Sequence, residues 1–150
     1  MKKLDDATLR AHKGISFVGI SASFICHDGE GSFYMALRGQ NARDEQGTWD
    51  LGGGGVKWGE KVEDVIRREI KEEYGAGVLE LEFLGYDDIF RKLADGTPTH
   101  WLAIRFAARV NRDDVFINEP EVLDDGGWFT LNNLPSPLHS QALPFLNQVS

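Results

Sequence analysis

Three glutamates, Glu69, Glu72 and Glu73, fall within five residues of one stretch that reads as a helix. Carboxylates so spaced can hold a divalent cation. At about 100° per residue, Glu72 and Glu73 come one turn after Glu69 on nearly the same face. That face is also the apolar one: Val62, Val65, Ile66 and Ile70 mark the stripe that packs inward, Glu69 and Glu73 fall inside it, and Glu72 lies at its edge. Glu63, Asp64, Arg67 and Lys71 take the opposite side. Inward carboxylates cost roughly several kcal/mol each unless something neutralises them. An oxygen-only donor set, with no histidine or cysteine nearby, suits Mg²⁺ or Mn²⁺ and not Zn²⁺. Mg²⁺ keeps waters and binds substrate phosphates, so the expected chemistry is attack of water at phosphorus.

Such side chains need a rigid helix and an open approach. The helix is expected over residues 61–74, with Gly75 and Gly77 as stop signals. Ahead of it, Gly52, Gly53, Gly54 and Gly55 read as irregular backbone that can approach a ligand closely. Residues 14–26 and 32–38 read as strands joined by a turn at 27–32, with Asp28-Gly29 as its signal. Further strands are expected at 48–51, 79–90, 100–110 and 127–131, the fifth of these six central in the sheet. Residues 39–47, 118–121 and 124–127 read as loops, and 94–98 as a turn. Residues 137–149 have helical apolar spacing that Pro144 should kink or restart, and 1–13 read as a tail or short helix. The order predicts one domain over 1–150 of the α/β (α+β) class, a mixed sheet with helices on two faces.

A net charge of −8 argues against a nucleic-acid groove, which needs a basic stripe. The single cysteine, Cys26, lies in an apolar run and reads as a small buried side chain. No signal-peptide apolar region follows Lys2-Lys3, and the longest apolar stretch is too short to span a bilayer, so a cytoplasmic protein without a membrane partner is expected.

The run from Gly54 to Ala76 resembles the Nudix box, G-x5-E-x7-R-E-U-x-E-E-x-G-U, where U is a bulky aliphatic residue. Gly54, Glu60, Arg68, Glu69, Ile70, Glu72, Glu73 and Gly75 match it, and only Ala76 is smaller than usual. Gly53 stands where many members carry proline. The resemblance implies an α/β/α sandwich and a Mg²⁺-dependent hydrolase of diphosphate linkages. Glu69, Glu72 and Glu73 would bind the cation, with the Gly54 carbonyl as a further ligand. Arg68 and Glu60 would support them. The general base would be Glu69 itself or a later carboxylate, with Glu119, Glu121, Asp124 and Asp125 as candidates.

Substrate choice lies outside the box. Arg38, Trp49, Gly55, His100 and Glu119 are the candidate substrate contacts, with Trp101 and Trp128 as further stacking candidates. Trp58, in the glycine-rich approach, is expected to be exposed, and Arg43 and Arg91 are loop cations within possible reach of phosphate. The segments 99–110 and 117–122 look like those of compact members acting on nucleoside triphosphates. A nucleotide sugar or ADP-ribose is the alternative substrate, and a non-catalytic nucleotide-sensing domain the alternative function. Either a monomer or a homodimer fits.

Overall fold

The computed structural model describes residues 3–149, so residues 1–2 of the expected tail lie outside the described residues. Its elements are α1 (Asp6–His12), β1 (Gly19–His27), β2 (Phe33–Arg38), β3 (Trp49–Asp50), β4 (Gly53–Gly55), α2 (Val62–Tyr74), β5 (Glu80–Lys92), β6 (Pro98–Arg109), β7 (Leu123–Phe129) and α3 (Ala142–Asn147). A short 3-10 turn, Arg112–Asp114, precedes β7. The strands form one sheet ordered β3-β2-β1-β6-β5, with β4 also on β1 and β7 also on β2. β1 and β6 run parallel in register from Gly19 opposite Trp101 to His27 opposite Arg109, and the other pairings are antiparallel. This is the expected mixed sheet, and the 100–110 strand is an inner one.

Alternation along β1 and β2 divides the core between two faces. Ala22, Phe24, Cys26, Tyr34 and Ala36 pack with Val65, Ile66, Ile70 and Tyr74 of α2. Ile25, Phe33 and Met35 point the other way and pack with Ala142, Phe145 and Leu146 of α3. Cys26 is fully buried, and burial pushes its thiol up to about 12, which removes thiolate reactivity at neutral pH.

α2 occupies almost the expected span and stops on Gly75, whose left-handed φ of 69° lets its N–H cap the Lys71 carbonyl. Several boundaries differ from expectation. Gly53–Gly55 is a strand, paired to Ser21, Ala22 and Ser23 of β1, because cross-strand bonds outweigh low glycine propensity. Residues 124–127 also lie in a strand, β7, opposite β2, and not in a loop. β1 begins at Gly19 because residues 14–17 close a turn, with the Gly14 N–H bonded to the Phe17 carbonyl. α3 begins only at Ala142, since the backbones of Trp49, Pro137 and His139 bond one another and hold residues 137–139 to β3. Pro144 then falls in the first turn of the helix, where its missing N–H costs little.

Candidate active site

The last two turns of α2 carry the carboxylates, and Arg68 organises them. Its Nη2 donates to Glu60 at 3.1 Å; its Nη1 donates to Glu69 at 3.0 Å and to Glu72 at 3.4 Å. Glu60 in turn accepts from the Lys57 backbone N–H, which ties the turn before the helix to the helix itself. Glu73 has no such partner. Its Oε2 is buried and accepts no hydrogen bond among the described residues. Burial, with the charges of Glu69 and Glu119, raises the Glu73 carboxyl well above its ordinary value. Glu69 is also raised, chiefly by burial and against the pull of Arg68.

Glu119 joins this group from a distant segment. The Asn118 N–H donates to the Glu73 carbonyl at 2.8 Å, and the Phe116 N–H donates to the Tyr74 carbonyl, so residues 116–118 are bonded to the end of the helix. Burial and the neighbouring charges of Glu121 and Glu72 raise the Glu119 carboxyl. Among the later carboxylates, Glu119 is the one whose charge acts on both Glu69 and Glu73.

A buried carboxylate oxygen without a partner, beside two further raised carboxylates, fits a divalent cation. The donors are all oxygens, which suits a hard cation. The ligand atoms of Glu69, Glu72 and Glu73 are not drawn to within 4.8 Å of one another; among the described residues that spacing is met by Asp44, Glu45 and His139. That second group is already occupied. Arg38 and Arg91 pair with Asp44, while Arg91, His139 and Ser140 all engage Glu45. It reads as a clasp between the 39–47 loop and the segment before α3, with its charges met by arginine.

A cavity of about 730 Å³ opens on the α3 face of the sheet, and Glu69, Glu72, Glu73 and Glu119 are not among the residues that line it. Gly52–Gly55 lines it. A Cβ added to Gly54 would stand 2.5 Å from the Glu69 carboxyl, so the glycine backbone lies directly on that group. Arg38 and Gly55 line the cavity, as do Arg43, Arg91 and Trp101. Arg38 is held by Asp44 at 2.8 Å and Asp50 at 3.3 Å.

Three expected substrate contacts lie outside the cavity: Glu119, which stands with the carboxylates, Trp49 and His100. Trp49 packs edge-on to Phe129, 5.2 Å between ring centroids, within the core under α3. His100 is paired with Asp88 at 2.8 Å and stacks near Phe90, on the sheet face opposite Trp101. Alternation explains the case of His100: neighbours on a strand face opposite ways, so with Trp101 in the cavity His100 must point away. Trp128 packs against Tyr34 beneath α2. Trp58 is 77% exposed, with the Lys3 ammonium 3.8 Å from its ring.

A mixed sheet between two helical layers carries an acidic helix packed against a glycine strand, and comparison with known proteins places this arrangement among hydrolases of anhydride bonds in phosphorus compounds. The chain belongs to the Nudix family: the NUDIX domain pattern matches residues 18–149. It is 34% identical over 96 residues to the nucleoside triphosphatase NudI of Escherichia coli O81 (strain ED1a), covering 60% of this chain and 68% of that one. Among solved structures, the MutT NUDIX hydrolase from Burkholderia pseudomallei superimposes with a TM-score of 0.78 at 30% identity, over 89% of this chain and 99% of that one. The NUDIX domain of Shewanella oneidensis NrtR, solved with ADP ribose, shares the fold with a TM-score of 0.68 at 18% identity, over 97% of each chain. Among the described residues no helix is long and apolar enough to cross a membrane.

Proposed function

We propose that the protein is a Mg²⁺-dependent pyrophosphohydrolase of nucleoside triphosphates. The observation that carries this reading is the partnerless Glu73 oxygen in a group of raised carboxylates, set directly behind the glycine strand that walls the cavity. The similarity to a nucleoside triphosphatase supports the choice of substrate class.

In this account Glu69, Glu72, Glu73 and the Gly54 carbonyl hold the cation, and Mn²⁺ can replace Mg²⁺. Held by these residues, such a cation would supply charge neutralisation for the phosphate oxygens and acidify a water for attack. Arg68, braced by Glu60, keeps Glu69 and Glu72 in place. Glu119 accepts the proton of the attacking water, because its charge acts on both Glu69 and Glu73 while it is not itself one of the residues that hold the cation. Gly52–Gly55 admits the phosphate chain to close backbone contact, Arg38 offers it a positive charge, and Trp101 gives the base a face to stack on.

A panel of nucleoside triphosphates, nucleotide sugars and ADP-ribose, assayed with Mg²⁺ for released phosphate and pyrophosphate, tests the assignment. Triphosphates should turn over fastest and release pyrophosphate. Faster cleavage of ADP-ribose or a nucleotide sugar reassigns the substrate, and no turnover of any diphosphate compound refutes catalysis.

The proton acceptor has its own test. Glu119→Gln should lower kcat about 10²-fold or more and flatten the acidic limb of the pH profile, with cation affinity near wild type. Glu69→Gln should weaken cation binding instead. A loss of only a few-fold in Glu119→Gln moves the role to Glu69.

Metal binding should also show in stability against pH. Folding raises the Glu73 carboxyl above 4.5, so the protonated form is the one the fold favours. The stability that this group contributes is fully present below about pH 4.5 and lost as pH climbs through the raised folded value. The rise in Tm on adding Mg²⁺ should therefore grow with pH above that point. A rise that is absent, or constant from pH 5 to 8, contradicts the cation site.

A further inference from the structure

The cavity floor carries a cation that the mechanism above does not use. Arg105 is 1% exposed, in the middle of β6, and it lines the cavity. A buried guanidinium is stable only where its donors are met. Nη1 donates to Gln148 at 2.8 Å and stands 3.6 Å from the half-exposed Asp87 carboxylate. Nε is buried and donates to nothing. The Phe145 ring lies 4.8 Å from Cζ, so one face of the guanidinium is covered, while Nε is left without an acceptor among the described residues. Burial lowers its proton affinity somewhat, but arginine stays charged at neutral pH.

Its place relative to the glycine strand is set by register. Gly53 pairs with Ser23, and Ser23 pairs with Arg105 on the other side. All three line the cavity. At about 4.8 Å per strand, Arg105 stands roughly 10 Å from Gly53 along the floor. Arg43 and Lys92 line the same cavity without side-chain partners among the described residues, and add positive potential.

We propose that Arg105 forms an oxyanion subsite that takes a phosphate of the substrate at its Nε edge, two strands away from the glycine wall. The subsite rests on the reading of this cavity as the nucleotide site, and it makes the number of phosphates a determinant of affinity. Arg105 is then a substrate-binding residue; the competing account is that it only fastens Gln148 and Asp87 to the sheet.

Calorimetric titration without divalent cation separates the two, and needs no hydrolysis. Pyrophosphate, a nucleoside monophosphate and a nucleoside triphosphate are titrated into wild type, Arg105→Gln and Gln148→Ala. Arg105→Gln should bind the triphosphate about 10- to 100-fold more weakly, the loss of one charge-assisted contact, and the monophosphate with little change. Gln148→Ala should stay within about threefold of wild type. If Arg105→Gln leaves triphosphate affinity within threefold, or both variants lose it equally, the subsite is overturned. Should Arg105→Gln not fold, the Nε–H resonance of Arg105 in the wild-type protein decides: it should shift on adding pyrophosphate, and an unmoved resonance at saturation overturns the proposal. Binding through Arg105 in a protein that turns over no nucleotide would sink the hydrolase reading alone.

Discussion

Glu73→Gln lowers turnover by about 10² to 10⁴-fold and at the same time raises the Tm of the cation-free protein. The first effect follows from removing one carboxylate charge from the proposed cation site. Charge stabilisation there is worth several kcal/mol, and each 1.4 kcal/mol is roughly tenfold in rate. The second follows from the cost of the same charge without a cation. Oε2 is buried and unpartnered, and burial together with Glu69 and Glu119 resists ionisation. Glutamine keeps the volume and removes the charge. The gain in Tm should widen as pH rises from about 5, because the wild-type penalty grows in that direction. Steady-state kinetics with Mg²⁺ and melting curves without it read the two effects. Turnover near wild type, or a cation-free Tm that falls, would refute the assignment of Glu73.

Gly52→Ala destabilises the fold by about 2–6 kcal/mol, the sum of backbone strain and overpacking. Gly52 has φ of 126°, where side chains other than glycine's are strained. A Cβ there would stand 2.5 Å from two carbons of the Phe24 ring and 3.3 Å from the Tyr74 hydroxyl. Phe24 and Tyr74 meet edge-on beneath α2, and the Tyr74 hydroxyl donates to the Leu51 carbonyl, so neither ring has room to retreat. Domains are commonly stable by about 5–15 kcal/mol, so the variant approaches the threshold of folding. Gly55→Ala, three residues on, is the control. It has no atom within 4 Å of its added Cβ and should change stability by about 0.5 kcal/mol or less. Denaturant unfolding of both variants measures the contrast, and a loss below about 1 kcal/mol in Gly52→Ala contradicts the account of this turn.

These glycines also mark how far sequence alone reached. The helix was legible because its evidence is local: apolar spacing, an acidic inward face and a glycine stop act within one stretch of chain. The strand character of Gly53–Gly55 was not legible, because it arises from hydrogen bonds to Ser21–Ser23 and not from propensity. Residues 124–127 are a second case of the same kind. Asp-Asp-Gly-Gly is turn composition, yet Gly126 is required inside β7 because the Tyr34 hydroxyl occupies the place of its Cβ, 2.1 Å away.

The site divides along the same line. The spacing of the box brought Glu60, Arg68, Glu69 and Glu72 into one ion-paired group. Which carboxylate of a later loop approaches them depends on a bond between Asn118 and the helix end, and that contact spans the fold. Residue type alone makes every aromatic and histidine a candidate, while the sheet selects by face. Trp101 points into the cavity, and His100 beside it points out. Arg105 carries a sequence signal of its own. A lone arginine within the apolar run of residues 101–108, on the side of Trp101 and Ala103, is a charge that the cavity floor must accommodate.

The most direct measurement is hydrolysis of the preferred nucleoside triphosphate in water labelled with ¹⁸O, with and without Mg²⁺. The account predicts cation-dependent turnover, with one labelled oxygen entering a phosphorus of either the nucleotide product or the released pyrophosphate. Cation-independent turnover, or products free of label, would contradict it.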